Sequence, residues 1–270
     1  MTNFSEIAVT YEKDSLVQKS ASDRLFDLLR IENADDVLDI GCGTGNLTRR
    51  IADKTRGRVA GIDASERMID EARQNYADLG IKFEACPVEH LPYMDSFDVI
   101  FCNSAFQWFR NPESALKSCF GTLRHNGRMG MQAPARHIYS PNFMEAVENV
   151  KTDPRLMERF ASFQAPWLFL ETPEEYRMLF EKVGFQVLHS RIERVVSTHR
   201  PEEVFRIFDS GASAGYLNPE FYRLPISDDY AGTFRKVIEE SFERQANANG
   251  LVDLVFFRIY LLARKQQKTG

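Results

Sequence analysis

Apolar and polar positions follow two rhythms along this chain. Residues 15–31 carry Leu16, Leu25, Phe26, Leu28 and Leu29 at helical spacing and predict a helix. Val37-Leu38-Asp39-Ile40 is a short apolar run halted by glycines, which is the signature of a buried strand. Residues 46–54, with Leu47 and Ile51 inward, read as the next helix, and residues 58–63 as a second strand. Ser65 is a good N-cap for a helix reaching Leu79, with Met68, Ile69 and Ala72 on one face and Gly80 closing it. Strands follow at residues 81–85 and 97–102. A helix then runs from Pro112 to Leu123, and the Asn126-Gly127 turn leads into a fifth strand at 128–132.

Strict alternation of strand and helix over residues 36–132 predicts a parallel sheet with helices on both faces, joined by right-handed crossovers. Ligands then belong at the carboxyl ends of the strands. After Ala133 the rhythm breaks. Prolines and aromatics fill residues 134–172 around a helical piece at 143–150; a helix is expected at 174–183, a long strand at 185–196, helices and loops over 201–243, and a last apolar strand at 251–263. The last two strands are expected to join the sheet as an antiparallel pair. The organisation expected is therefore a doubly wound, seven-stranded, mostly parallel α/β sheet. Residues 1–34 and the insertions at 136–172 and 200–245 form a helical lid, 35–135 the binding core, and 173–199 and 246–270 complete the sheet.

Composition narrows the field. With 43% hydrophobic residues in 270, one large domain with a covering insertion can bury a full core. A net charge of -5 without a basic stripe argues against a nucleic-acid partner. Residues 1–6 show no apolar leader, and no run nears the roughly 20 apolar residues of a membrane span, so no membrane partner and a cytoplasmic location are expected. Cys42, Cys86, Cys102 and Cys119 form no C-x-x-C pair. Three of them fall near carboxyl ends of strands, which invites a thiophilic metal. Strand spacing sets the first and third strand ends about 10 Å apart, too far for zinc–sulfur bonds of about 2.3 Å, so free thiols and no metal are expected.

The chemistry concentrates in Asp39-Ile40-Gly41-Cys42-Gly43-Thr44-Gly45, set between a predicted strand and a predicted helix. Glycines let the backbone approach a ligand and adopt turn torsions closed to other residues. Asp63 ends the second strand 20 residues after Gly43, where a carboxylate accepts hydrogen bonds from ribose hydroxyls. A dinucleotide fingerprint would space its third glycine one residue later, where Asn46 stands. Asp39 would also repel a pyrophosphate, whereas it suits the amino group of a methionine moiety.

This segment resembles the first motif of class I S-adenosylmethionine (SAM)-dependent methyltransferases. Asp63-Ala64-Ser65 with Met68 resembles their ribose and adenine segment, and Glu89-His90-Leu91-Pro92 followed by Phe97-Asp98-Val99-Ile100 their third and fourth motifs. Tyr11-Glu12 with Val17-Gln18, Asn103-Ser104-Ala105-Phe106-Gln107-Trp108 and the terminal Ala263-Arg264-Lys265 resemble a carboxyl-methylating group. That group includes malonyl-carrier-protein, trans-aconitate and juvenile-hormone-acid methyltransferases. The resemblance implies SAM as cofactor, held by Tyr11, Asp39, Gly41, Cys42, Gly43, Asp63, Ala64, Met68, Val88, Glu89, Asn103 and Phe106. One departure stands out: Pro87 occupies a position often acidic in the family, so adenine would rest on backbone groups of Val88 and Glu89.

Each candidate has a plain alternative. Met68 is either helix core or a flexible thioether packed on adenine. Phe106 and Trp108 are core, or rings that attract the sulfonium and shape the acceptor pocket. Gln18 is a solvated helix residue, or by resemblance meets the acceptor carboxylate or the cofactor. Arg136 could clamp a carboxylate and His137 could serve as a base, or both are surface. The reaction expected is methyl transfer to a small-molecule acceptor, an already ionised carboxylate that needs no base. The alternatives are a phenol, nitrogen or carbon acceptor, or a SAM-binding regulatory protein without turnover.

Overall fold

Val37, Leu38, Asp39 and Ile40 are all buried, because both faces of strand β1 (Val37–Ile40) are covered. A computed structural model describes residues 16–266. The chain divides into two compact units. The larger, here the sheet unit, comprises Gln18–His137, Leu168–Glu193 and the chain from Arg258 onward. It holds α1 (Leu16–Leu29) from Gln18, β1, α2 (Asn46–Ala52), β2 (Val59–Asp63), α3 (Glu66–Asn75), β3 (Lys82–Ala85), β4 (Phe97–Asn103), α4 (Pro112–Thr122), β5 (Leu123–Pro134) and α7 (Pro173–Lys182). Parts of β6 (Phe185–His199) and β7 (Val252–Lys265) also belong to it.

The seven strands lie in the order β3-β2-β1-β4-β5-β7-β6. The first five pair in parallel, as the rhythm of the sequence predicts, and β7 joins antiparallel to β5. On one face Leu38, Ile40, Ile100, Met129, Met131 and Leu261 pack with residues such as Leu116 and Phe180 from α4 and α7. On the other, Val37, Val99 and Phe101 meet Leu25 and Leu29 of α1 and Ile51 of α2. A Cβ on Gly130 would stand 2.5 Å from Leu29, so glycine is what lets α1 lie this close to β5.

Several boundaries differ from the sequence reading. The helix expected to reach Leu79 stops at Asn75, and a 3-10 turn (Ala77–Leu79) carries the chain to Gly80, whose φ of 66° closes it. Strand β5 begins at Leu123, before the Asn126-Gly127 turn. The pairing Phe97↔Leu123 jumps to Val99↔Arg128, so the turn (Asn126 φ 62°) is a bulge within the strand. α7 starts on a capping box, with Thr172 accepting from Glu175 N and the Glu175 carboxylate accepting from Thr172 N.

The second unit, the helical unit, comprises among the described residues Ile138–Trp167 and Arg194–Phe257. It holds α5 (Pro141–Thr152), α6 (Met157–Phe160), α8 (Pro201–Gly211), α9 (Ser213–Tyr216), a 3-10 turn (Pro219–Phe221) and the long α10 (Asp228–Arg244). Its core is aromatic. Phe143 meets Phe208 edge-on at 4.9 Å, and Phe208 stacks on Tyr216 at 5.9 Å. Trp167 lies against Gly215, where a Cβ would come within 2.1 Å of its ring.

Candidate active site

The glycine loop leaves β1 at its carboxyl end. Gly41 N and Cys42 N donate to Ile62 O at 2.8 and 2.9 Å, tying the loop to β2. Gly41, Gly43 and Gly45 all have positive φ, at 71°, 54° and 87°. Their surroundings differ. A Cβ on Gly41 would strike the Ala105 Cβ at 2.3 Å, and one on Gly45 would press on Phe83 and Tyr76, so these two are glycines for packing. At Gly43 a Cβ would meet nothing within 4 Å. That glycine leaves open space against the backbone, as a ligand cradle requires.

Two carboxylates border this space. Asp39 is only 2% exposed and takes the Thr48 hydroxyl at 2.7 Å on Oδ2; among the described residues no hydrogen bond reaches Oδ1. Burial pushes its carboxyl up to about 7, the Thr48 bond opposes this, and the negative charge of Asp63 adds to it. Asp63 is held by Gly43 N on Oδ2 at 3.0 Å and Ser65 N on Oδ1 at 2.9 Å. Burial raises its carboxyl too, against those backbone bonds. A carboxylate offers about four lone-pair directions, so each oxygen keeps capacity for a hydroxyl donor. Two neighbouring carboxylates, with the charge of Asp63 pushing Asp39 up, favour a cationic ammonium and a diol, and oppose a pyrophosphate. The residues present therefore fit SAM.

Ser65 caps α3 by accepting from Met68 N at 3.4 Å. Ile69 and Ala72 are the buried face of α3, while Met68 is half-buried and Ala64 exposed, so Met68 stands off the helix core. Pro87 opens a 3-10 turn (Val88–His90) in which Val88 is buried and Glu89 half-buried; Cys86 N donates to Asp63 O at 2.9 Å, placing this turn beside Asp63.

At the carboxyl end of β4, Asn103 is half-buried and Ser104 has φ 55°, an uncommon torsion for a residue with a side chain. The Ser104 hydroxyl donates to Gln132 Oε1 at 3.0 Å. The Phe106 ring is fully buried in the sheet core, stacked on Phe180 at 5.9 Å, whereas Trp108 is exposed. Of the two rings weighed from sequence, Phe106 takes the core position. Arg136 (φ 70°) is half-buried and its N donates to Leu170 O at 3.0 Å. His137 is 80% exposed at the side chain and gives both its backbone N–H and Nδ1 to Glu171. Gln18 lies in α1, and Tyr11 falls outside the described residues. Thr48, Gln132 and Glu171 went unmarked in the sequence reading, and Ser104 entered it only within the segment Asn103–Trp108.

Cys42, Cys102 and Cys119 are buried and Cys86 half-buried, all free thiols. Burial pushes each thiol up, with nearby carboxylates adding to it at Cys42. Among the described residues no cluster of three metal-binding side chains occurs.

A methyltransferase-domain family model matches residues 31–184. A malonyl-[acyl-carrier protein] O-methyltransferase of Acetivibrio thermocellus is 30% identical, over 98% of this chain and 92% of its own. A trans-aconitate 2-methyltransferase of Rhodopseudomonas palustris is 28% identical, over 88% and 92%. The crystal structure of the YcgJ protein of Bacillus subtilis shares the fold, with a TM-score of 0.59 at 17% identity, over 92% of this chain and 99% of that one. The chain belongs to the methyltransferase-domain family, and it is a SAM-dependent methyltransferase.

Proposed function

We propose that this enzyme transfers the methyl group of SAM to a carboxylate oxygen of a small acid. The observation that carries this reading is the pair of carboxyl ends of β4 and β5, built from the neutral hydrogen-bonding groups of Asn103, Ser104 and Gln132. Such groups orient an acceptor without taking a proton from it, and a carboxylate is already ionised at neutral pH. The similarity along nearly the whole chain to relatives named for malonyl and trans-aconitate acceptors supports it.

SAM, when bound, supplies a methyl group activated by its sulfonium. In this reading Asp39 receives the ammonium, Asp63 the ribose hydroxyls, and Met68, Val88 and Glu89 border the adenine. Gly41, Cys42 and Gly43 lend backbone, with Ala64 and Asn103 as neighbours of the cofactor. Trp108, Arg136 and His137 address the acceptor. Alignment of the reactants by these residues is worth on the order of 7–11 kcal/mol of barrier. Four free thiols fit a reducing compartment, and we place the protein in the cytoplasm. Among the described residues no helix is long and apolar enough to cross a membrane.

The test is methyl transfer from labelled SAM to a panel of carboxylic acids, phenols and amines. Label is expected in the acids, as an ester that alkali cleaves to volatile methanol. Alkali-stable label in a phenol or amine, abolished by His137→Ala with SAM binding intact, would reassign the acceptor and make His137 its base.

A further inference from the structure

The backbone of Asp39 is held from both sides, paired with Gly61 of β2 and Phe101 of β4. Its side chain depends on one contact. The Thr48 hydroxyl donates to Oδ2 at 2.7 Å. Among the described residues Oδ1 accepts no hydrogen bond, yet it is not a fully enclosed atom, so some of its surface stays open. The carboxyl group thus has one oxygen engaged by the protein and one left for a ligand.

Thr48 is the third residue of α2, and the helix buries two side chains, Thr48 and Ile51. Ile51 joins the apolar cluster of Leu25, Val37 and Phe101. Thr48 is 0% exposed and brings a hydroxyl inside, where valine would supply equal bulk with no polar atom to satisfy. A buried hydroxyl is kept where it has a partner, and here that partner is Asp39.

The other groups facing Asp39 do not help its charge. Burial and the Asp63 carboxylate at the end of β2 both oppose ionisation, and the Thr48 bond favours it. Cys42 in the glycine loop and Cys102 on β4 feel the Asp39 charge, but burial pushes both thiols up and keeps them neutral. Among the described residues no cation is paired with Asp39.

Taking Asp39 to receive the ammonium of SAM, as proposed above, we infer that Thr48 is a positioning residue: its hydroxyl holds Oδ2 so that Oδ1 is presented to the ammonium. One bond has two effects. A carboxyl group free to turn would lose that freedom when SAM binds, and Thr48 removes the loss beforehand. A donor on one oxygen also favours the ionised form, which is the form an ammonium needs. In this scheme Thr48 touches no part of SAM and acts through Asp39.

The experiment measures by calorimetry, between about pH 5.5 and 8.5, the binding of two ligands to the full chain. One is SAM; the other is 5′-methylthioadenosine, which keeps the adenosine and lacks the ammonium end. Thr48→Val is expected to bind SAM on the order of tenfold more weakly at pH 7 and to recover most of that loss near the top of the range. Its affinity for methylthioadenosine stays within about twofold of the wild type, which a general loss of structure would not allow. Thr48→Ser, which keeps the hydroxyl, restores the wild-type profile. Thr48→Ala removes the same hydroxyl and is read in the same way where Thr48→Val does not fold. A variant without the hydroxyl that keeps the wild-type pH profile, or loses both ligands alike, overturns the role of Thr48 and leaves the Asp39 pairing standing. A wild-type SAM affinity that is flat with pH and unchanged by Asp39→Asn overturns the pairing and the positioning together.

Discussion

The three glycines of the loop share a torsional class and differ in what lies beyond their missing side chains. Gly41 faces Ala105 and Gly43 faces open space. Gly41→Ala should destabilise the fold by about 1–3 kcal/mol through overpacking and positive φ, read as a lower Tm. Gly43→Ala should cost only about 1 kcal/mol for its torsion, yet weaken SAM binding on the order of tenfold by calorimetry. Equal SAM affinity in Gly43→Ala would remove the cradle from that position. Asp39 adds a pH signature. Its folded-state acid is raised to about 7, so its ionised form is disfavoured in the ligand-free protein, and the stability it contributes falls as pH rises from the usual carboxylate range through about 7. An ammonium partner selects the ionised form. SAM affinity should therefore decline by up to about tenfold per unit as pH drops below 7, with proton release on binding, and Asp39→Asn should bind weakly with no such slope. A wild-type affinity flat between pH 5 and 7 would contradict the pairing of Asp39 with the ammonium.

At the scale of elements, the short strands and helices that carry the site owe their ends to local chemistry. Ser65 caps α3, and the Thr172–Glu175 box starts α7, whose Tyr176 and Phe180 enter the core against Phe106. Thr172→Ala should lower stability by about 1 kcal/mol in urea unfolding, with an unchanged m-value. SAM affinity should stay as in the wild type, because the cap touches no cofactor residue. The Asp39 loop was legible in the sequence because its residues are contiguous and glycine signals its own torsions. The bulge in β5 was not, since Asn126-Gly127 reads as an ordinary turn until Phe97 and Leu123 are seen to pair before it. The Glu171 partner of His137 lies 34 residues away on a different segment, and no local spacing announces it.

At the scale of the whole molecule, the chain folds as two units with cores of different character. Aliphatic side chains mixed with rings such as Phe106 and Phe180 pack on the sheet in one, and rings such as Phe143, Phe208, Tyr216 and Phe234 dominate the other. Gly215→Ala forces a Cβ against Trp167 within the helical unit alone. Hydrogen exchange should then speed up over residues 138–167 and 194–257 and stay slow over 18–137, as expected of separately cooperative regions. Equal acceleration over both ranges would show a single cooperative unit.

The sequence by itself determined the alternation of strands and helices, the glycine loop with its two acids, and so the class of cofactor. Hydrophobic period and turn chemistry are local properties that any short window contains. Tertiary structure alone decided that β7 lies between β5 and β6, that Phe106 belongs to the core while Trp108 is exposed, and that Thr48 holds Asp39. It also set Tyr260 opposite Gln132, 128 positions earlier in the chain. Such pairings depend on which faces meet once the sheet assembles, and a residue's own neighbours in sequence carry no record of that.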